Sequence, residues 1–369
     1  MSSIAELRLG KVVYDNGRKP ISFGAHQFRH AALIAVVRSD DGAIGTGMAW
    51  AQIDDELGYV RAVRPTLSAA VDGRDALAPF VAAAACQAEA YRIAATRVAA
   101  AIEMALWDLA GRLLKVPCYQ LLGCRRRTLP SYVISAEDFF IDSVAQYVEL
   151  ATRYVDAGFR GCKFHLWGKA DRDVDACRAI RDAVGPDVAL MLDPAGRYSR
   201  EEAVRVGRAI EELGFVRYED PLPPGDAAGY RWLATRVSVP LVVNESLRWN
   251  AEQCAAAART GIVQGFRMEL GRAGVGETLR IATIAEANGA ELDVAAFAPR
   301  GALDACLHVA LASPATRWFE HHEALGLDEI PGIAPGFVIE NGVARPLDGA
   351  GFGFDIDWPE LERHCEWVR

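Results

Sequence analysis

The chain has 369 residues, of which 51% are hydrophobic and 24% charged, and this is the composition of an ordinary globular protein. Its length predicts two domains, or one barrel with an additional domain. The net charge of -9, and basic runs no longer than Arg125-Arg126-Arg127, argue against nucleic acid and membranes as partners. Eight cysteines without a CxxC pair, and an N-terminal segment without a signal-peptide core, predict reduced thiols in a cytoplasmic protein.

The first third of the sequence predicts an α+β unit. Residues 4–14 have the composition of a strand, and two further strand-like segments, 31–38 and 43–50, flank the turn Ser39-Asp40-Asp41-Gly42. Strand-like segments on both sides of an Asp-Gly turn are typical of a β-hairpin. Residues 97–114 stay apolar at helical spacing, so we expect a long helix there.

From residue 131 onward, short apolar segments alternate with amphipathic helices. The expected strand ends are His165, Asp193, Glu219, Glu245, Glu269, Ala295 and Glu320, which are separated by 28, 26, 26, 24, 26 and 25 residues. One strand and one helix per step at a steady period indicate a (β/α) barrel rather than a doubly wound sheet. Side chains at the C-terminal ends of barrel strands face the active site, so these residues are candidates for function.

Three consecutive strand ends carry carboxylates, namely Asp193 in MLDP, Glu219 in YEDP and Glu245 in NES. Held together in a partly dehydrated site, three like charges repel each other unless they are protonated or neutralised. A divalent cation neutralises them, and oxygen ligands alone suit Mg²⁺, with Mn²⁺ as a substitute. We therefore predict that these three residues bind one Mg²⁺.

The preceding strand end reads Gly161-Cys162-Lys163-Phe164-His165. Residues two apart on a strand point to the same side, so Lys163 and His165 are both expected to face the metal. They provide a fixed positive charge and a base that titrates near neutral pH.

Together with these features, three segments make the chain similar to a known family. Residues 101–111 read AIEMALWDLAG, and they are followed by Val116-Pro117 and by Leu121-Leu122-Gly123. With them, the chain resembles the mandelate racemase-like subgroup of the enolase superfamily. The resemblance implies a (β/α)₇β modified TIM barrel with an α+β capping domain. Residues 1–127 and the tail 326–369 would form the cap, and residues 128–325 the barrel.

The same resemblance implies the chemistry. Members abstract the proton α to a carboxylate and stabilise the enediolate with Mg²⁺. His165 lies where many relatives carry a lysine base, and Lys163 would lie near the substrate carboxylate. Glu320, at the end of the eighth strand, matches an acid that contacts the other carboxylate oxygen, for which it must be protonated or well paired. A homo-oligomer is also expected.

The sequence departs from the family pattern at the sixth and seventh strands. Relatives carry an Asp–His dyad there, but residues 294–300 read VAAFAPR and contain no histidine. Either Met268 or Glu269 occupies the position of the dyad Asp, and the spacing leaves both alternatives open. Glu269 is therefore a candidate catalytic residue. Without the dyad, a reaction that uses one base is favoured over a two-base racemisation.

Further candidates would bind substrate. The resemblance places two cap loops at residues 23–30 and 48–54, and the first contains His26, Arg29 and His30. A carboxylate or a polyhydroxy acid would be a suitable ligand for them. Arg300 and His321, near the ends of the last two barrel strands, are added as candidates.

Three functions follow as hypotheses. The first is an acid-sugar dehydratase, which forms a 2-keto-3-deoxy acid. The second is an epimerase, racemase or lactone cycloisomerase acting on a carboxylic acid. The third is a barrel that binds a ligand but has lost or altered its catalysis; the pair Lys163 and His165 argues against it.

Overall fold

The structure is a computed structural model that describes residues 2–14, 21–23, 26–28, 31–51, 56–135, 141–244, 250–295, 298–322 and 329–368. The strands are β1 Ile4–Val13, β2 Ile21–Phe23, β3 His26–Phe28, β4 Ala31–Ser39, β5 Ile44–Trp50, β6 Leu129–Ser135, β7 Gly161–Phe164, β8 Ala189–Leu192, β9 Arg217–Glu219, β10 Leu241–Val243, β11 Gly265–Glu269, β12 Glu291–Ala295, β13 Phe319–His321, β14 Ile333–Ala334, β15 Phe337–Glu340, β16 Val343–Pro346, β17 Asp355–Ile356 and β18 Cys365–Trp367. The helices are α1 Glu56–Val71, α2 Pro79–Arg92, α3 Thr96–Leu114, α4 Cys118–Leu121, α5 Val144–Asp156, α6 Ala170–Val184, α7 Arg200–Glu212, α8 Ala227–Ala234, α9 Ala251–Thr260, α10 Leu270–Ala287, α11 Ala302–Ala312 and α12 Trp358–His364.

A four-stranded antiparallel sheet in the order β18-β1-β4-β5 forms the base of the capping domain. The strands β4 and β5 pair up to Arg38 and Ile44, and Gly42 turns the chain between them with a φ of 88°. A residue with a side chain rarely adopts this φ, so the glycine suits the turn. The predicted hairpin is confirmed. Strand β18 pairs with β1, so the C-terminal tail returns to this sheet.

Helix α3 lies directly against strand β5 of the cap. A Cβ added at Gly45 would lie 2.2 Å from the Ala105 carbonyl oxygen, and one at Gly47 would lie 2.1 Å from that of Ala101. These distances are too short for any side chain, so the two glycines allow the helix to approach the sheet. The other side of α3 contacts α10 of the barrel. The predicted helix thus joins the cap to the barrel, and both of its faces are buried.

Eight parallel strands follow in the order β13-β6-β7-β8-β9-β10-β11-β12, and β12 lies beside β13. Seven helices, α5 to α11, alternate with them in the sequence. This is the predicted (β/α)₇β barrel. Outward-facing side chains such as Phe164, Leu192 and Met268 form an apolar core with the surrounding helices. The inward-facing side chains are largely charged, and they form the site described below.

In the part of the chain that the structure describes, none of the helices is both long enough and apolar enough to cross a membrane.

Candidate active site

Strand β7 directs Lys163 into the barrel, where its side chain is 1% exposed. Its Nζ lies 2.8 Å from Oε2 of Glu219, 3.1 Å from Oε2 of Glu320 and 3.9 Å from Oδ2 of Asp193. Burial opposes the positive charge, but the carboxylates of Glu219 and Glu320 outweigh it and raise the pKa of Lys163. The side chain is therefore a fixed cation at the centre of three acids.

His165 follows β7 and lies at the barrel mouth. Its Nε2 is 3.5 Å from Oδ2 of Asp193, and 18% of its side chain is exposed. The backbone is held on both sides, because its N–H donates to Oγ of Ser135 at 3.3 Å and its carbonyl accepts from the hydroxyl of Tyr147 at 2.6 Å. The structure thus brings the predicted base close to a predicted metal ligand.

Two of the three predicted metal ligands, Asp193 and Glu219, lie side by side in the barrel; Glu245 lies outside the described residues. Oδ1 of Asp193 accepts the backbone N–H of Ala195 at 2.8 Å. Oε1 of Glu219 is buried and accepts no hydrogen bond from any residue that the structure describes. Burial raises the pKa of Glu219, against the opposing effect of Lys163. Nε of Arg267 lies 3.6 Å from Oε1 of Glu219, beyond hydrogen-bond distance. A metal cation beside Glu219 would therefore bind an oxygen that accepts no hydrogen bond and would add to the charge of Arg267 and Lys163.

No group of three or more His, Cys, Asp or Glu side chains within the described ranges is arranged to hold a metal ion. The third member of the predicted set, Glu245, lies outside these ranges. The donor set remains one of carboxylate oxygens, which suits a hard cation.

Glu320 on β13 is fully buried and has several donors around it. Its Oε2 accepts from the hydroxyl of Tyr132 at 2.7 Å and from Nε of Arg267 at 2.9 Å, and its Oε1 accepts from Nη2 of Arg267 at 2.6 Å. Burial alone would raise the pKa of Glu320, but Arg267 and Lys163 outweigh burial and hold it well below the usual value. Glu320 was expected to be either protonated or well paired. In the structure it is ionised and paired with Arg267 and Lys163.

The side chain of Arg267 lies inside the barrel, and this gives the directions of its neighbours on β11. Side chains alternate along β11, so Arg267 and Glu269 face inward while Met268 packs outward in the apolar core. The carboxylate of Glu269 pairs with Nε of Arg272 at 2.5 Å. Glu269 also lines a small cavity with Trp50 of the cap, so it lies at the boundary between the two domains rather than beside Lys163.

The predicted substrate-binding residues have different outcomes. Arg300 is buried, with its guanidinium 3.5 Å from Asp304 and over the ring of Phe337, so the structure does not bring it to the central cluster. The ring of His321 stacks on Phe159, on the outer side of β13. Of the cap-loop residues His26, Arg29 and His30, the structure describes only the backbone of the first.

Sequence reasoning missed three residues that the structure adds to the interior, Tyr132, Arg267 and His322. Nε2 of His322 lies 3.0 Å from Oε1 of Glu320. The alternation that places Lys163 and His165 on the same side of their strand also places Glu320 and His322 on the same side, so the sequence contained a signal for His322.

A deeper layer of charged side chains closes the barrel floor, where Arg217 pairs with Asp293 and Glu291.

This arrangement can bind an anion and move a proton. Fixed positive charge from Lys163 is held beside carboxylates that can bind a cation. An imidazole at the mouth, His165, is partly accessible to a ligand. Such a site can stabilise negative charge that develops on a bound acid.

Known proteins show the same organisation. Residues 9–123 match the family described as Mandelate racemase / muconate lactonizing enzyme, N-terminal domain, and residues 146–361 match Enolase C-terminal domain-like. The chain is 31% identical over 273 residues to an L-Lys-D/L-Arg epimerase from Methylococcus capsulatus, covering 73% of this chain and 75% of that protein. It is 30% identical over 262 residues to an arabinonate dehydratase from Saccharolobus solfataricus, covering 69% and 68%. Its fold is similar to that of a solved member of the enolase superfamily from Polaromonas sp. JS666, with a TM-score of 0.86, 22% identity and coverage of 98% and 97%. The chain therefore belongs to the mandelate racemase-like subgroup of the enolase superfamily and is an enzyme of that superfamily.

Proposed function

We propose that this enzyme abstracts the proton α to the carboxylate of a sugar acid and dehydrates the acid to a 2-keto-3-deoxy acid. The observation that carries the proposal is the buried contact of Lys163 with Glu219 and Asp193, with His165 beside Asp193 at 3.5 Å. An α-proton is weakly acidic, so its removal requires positive charge near the carboxylate and a base near the α carbon. Lys163 and His165 supply these two groups.

Asp193, Glu219 and Glu245 would hold one Mg²⁺. Two features support this assignment: the carboxylate donor set, and the buried Oε1 of Glu219, which accepts no hydrogen bond from any described residue. When bound, Mg²⁺ supplies positive charge to the substrate carboxylate.

The residues of the chain have separate roles in this proposal. His165 takes the α-proton and then delivers it to the departing β-hydroxyl, which leaves as water while the electron pair of the broken C–H bond forms the new C=C bond. Lys163 binds the carboxylate through its ammonium group, and Glu219 and Glu320 fix the position of that group. The cap contacts the barrel near Glu269, where Trp50 and Arg97 line a small cavity with it.

Dehydration is favoured as the reaction by the sequence of the seventh strand, where residues 294–300 contain no histidine. Dehydration is also the reaction of one relative, the arabinonate dehydratase from Saccharolobus solfataricus. The substrate class proposed here, a sugar acid, is consistent with the polar residues His26, Arg29 and His30 of the first cap loop.

Epimerisation of a carboxylic acid is the second candidate. The similarity to an L-Lys-D/L-Arg epimerase favours it, and the first chemical step would be the same. The fate of the hydroxyl group at the β carbon separates the two reactions, since only dehydration forms a keto acid.

The test is an incubation of the enzyme with Mg²⁺ and a panel of mono- and diacid sugars in D₂O. We expect a product that reacts with semicarbazide and that carries deuterium at C3, the former β carbon, as seen by NMR, because the enol takes up a deuteron there when it becomes the keto acid. Chelation with EDTA should abolish both signals, and added Mg²⁺ should restore them. Deuterium at the α carbon of the acid without formation of a keto acid would favour the epimerase, and no turnover of any acid would contradict the proposal.

The variant His165→Asn tests the base. We expect keto-acid formation to fall by at least about 100-fold, the usual contribution of a general base. His364→Asn is the control, because His364 lies on α12, far from the barrel mouth, and pairs with Glu360 at 3.2 Å. Keto-acid formation that survives in His165→Asn would show that another residue is the base.

A further inference from the structure

Two loops at the barrel mouth follow residues proposed for the chemistry. The β7 loop, residues 166–169, comes directly after His165, and the β8 loop, residues 194–199, comes directly after Asp193. Where the strands end, the N–H of Asp193 donates to the carbonyl of Phe164 at 3.0 Å and keeps the two backbones in register. His165 lies beyond the last residue of β7, so the direction of its side chain depends on the β7 loop.

The carboxylate of Asp173 joins these two loops. Asp173 lies in the first turn of α6 and is 0% exposed. Its Oδ1 accepts the backbone N–H of Trp167 at 3.2 Å, while its Oδ2 accepts the N–H of Lys169 at 2.8 Å and the hydroxyl of Tyr198 at 2.6 Å. The first two donors belong to the β7 loop and the third belongs to the β8 loop. One buried side chain therefore holds both loops.

The two loops also contact each other directly. Nη1 of Arg197 donates to the carbonyl oxygen of Leu166 at 2.8 Å. Gly168 has a φ of 68°, and a Cβ added there would lie 2.6 Å from Cδ of Arg197. A residue with a side chain rarely adopts this φ and would displace the arginine. The glycine thus allows the β8 loop to pack closely on the β7 loop.

The surroundings of Asp173 suit an acceptor with two oxygens. All three contacts are donated to it, and an ionised carboxylate only accepts. The β7 loop is neither helix nor strand, so its buried N–H groups need such an acceptor. An amide at this position would keep one accepting oxygen and would direct an NH₂ group at another donor.

We infer that Asp173 is a positioning residue of the active site, which clamps the β7 loop to the β8 loop and so holds the imidazole of His165 beside Asp193. The inference rests on the function proposed above, because it takes His165 as the base. The chemical step stays with His165, and Asp173 acts through the loop that follows it. A displacement of a reacting group by about 1 Å can lower a rate by about 100-fold, so the clamp matters for the rate.

The first test is Asp173→Asn, which keeps the shape of the side chain but removes one acceptor. The rate of keto-acid formation is measured with Mg²⁺ and with D-arabinonate and D-galactonate as probes. We expect kcat to fall by about 10–100-fold. KM should stay within about threefold of the wild-type value, because Lys163, which binds the carboxylate, lies on β7 itself and does not contact the clamp.

The matched control is Asp108→Asn on α3. Asp108 is also 0% exposed and also accepts two backbone N–H groups, those of Thr46 at 3.0 Å and Phe352 at 2.9 Å. It joins segments of the cap and the C-terminal tail, away from both loops. Both variants should have a lower Tm, but kcat of Asp108→Asn should stay within about threefold of the wild-type value. Rates are compared well below the lower Tm.

A second measurement needs neither substrate nor metal. Hydrogen exchange followed by mass spectrometry reports the protection of the N–H groups in residues 166–169. In Asp173→Asn, this exchange should become at least about tenfold faster, because hydrogen bonds to a charged group are lost. In Asp108→Asn, exchange of the same segment should not change.

Tyr198→Phe is a milder variant, which keeps the test available if Asp173→Asn does not fold. It removes the link to the β8 loop and leaves both backbone donors of the β7 loop in place. We expect kcat to fall by between about threefold and tenfold. The double variant should have a kcat within about threefold of that of Asp173→Asn, since both substitutions break the same hydrogen bond.

Three results overturn the inference. They are an unchanged kcat in Asp173→Asn and Tyr198→Phe, an equal loss of kcat in Asp108→Asn, and unchanged exchange of residues 166–169 in Asp173→Asn. If the wild type acts on no acid, the proposed function fails. Faster exchange in Asp173→Asn then still supports the clamp, and unchanged exchange removes it as well.

Discussion

Glu320 in the barrel and Glu103 on α3 are both buried carboxyl groups, but their surroundings differ. Glu320 contacts the side chains of two cations, Arg267 and Lys163, and its pKa is held well below the usual value. Glu103 instead accepts the backbone N–H of Gly276 at 2.8 Å. Burial raises the pKa of Glu103 to about 7. Among the described residues, the groups that change this pKa are backbone N–H groups, Gln87 and Glu277, none of which is a cation.

The difference shows that burial alone does not set the charge of an acid in this fold. At Glu103, backbone N–H groups at a kink in α10 donate to a carboxyl group that can be neutral, and Gly274, with a φ of 81°, makes room for it. The contact joins the cap to the barrel, so its role is structural. At Glu320, charged side chains keep the group ionised. The positive charges inside the barrel thus distinguish the chemical site from the structural one.

Arg267→Met is expected to have the largest effect, because it removes one partner of a buried ion pair and leaves Glu320 and Glu219 with less compensation. Loss of one member of such a pair costs about 3–5 kcal/mol in the free energy of unfolding. Urea unfolding monitored by circular dichroism measures this change.

The matched control for Arg267 is Arg92→Met, which breaks an ion pair of 2.9 Å with Glu89 on the surface of α2. Exposed pairs contribute little, so its stability should stay close to that of the wild type. If Arg267→Met were as stable as this control, the charges in the barrel would not be strongly coupled.

The second substitution, Glu103→Gln, tests how the free energy of unfolding depends on pH. The raised pKa means that the folded protein retains the proton of Glu103 up to about pH 7, while the unfolded chain loses it near the ordinary glutamate pKa of 4.5. Stability from this group is therefore fully present below about pH 4.5 and is lost as the pH rises to about 7. The glutamine does not titrate and does not show this loss.

The expected result is that the variant gains roughly 3 kcal/mol relative to the wild type between pH 5 and pH 8. Urea titrations at both pH values measure it. Glu89→Gln, which removes an exposed acid of α2, controls for the change in net charge. An equal stability difference between Glu103→Gln and the wild type at the two pH values would show that Glu103 is ionised in the fold.

Much of the barrel could be predicted from the sequence, because apolar strands and amphipathic helices alternate at a steady period. The strands β9 and β11 end at Glu219 and Glu269, as the spacing indicated. The convergence of Lys163 with Asp193 and Glu219 followed from the same reasoning. The domain limits at residues 127 and 325 and the roles of the site residues stay predictions.

The residues that were missed depend on details that a period does not contain. Whether Met268 or Glu269 faces inward is decided by a shift of one residue, and the structure selects Glu269. Arg267 was missed because a charge within a short strand is usually exposed, whereas here it is compensated by Glu320 across the barrel. His322 was passed over in favour of His321 at the point where the strand ends.

Tyr132→Phe is expected to have the smallest effect on stability of the three substitutions. It removes a neutral hydrogen-bond donor from Glu320 and leaves the two cations, Arg267 and Lys163, in place. The hydroxyl of Tyr132 lies 2.7 Å from Oε2 of Glu320 and 3.2 Å from Oδ2 of Asp293. A hydrogen bond to a charged group contributes about 1.5–3 kcal/mol, and Arg267 compensates for part of the loss, so we expect about 1–2 kcal/mol in urea unfolding. A loss as large as that of Arg267→Met would mean that hydrogen bonds, rather than charges, keep Glu320 ionised, and the contrast with Glu103 would then have a different cause.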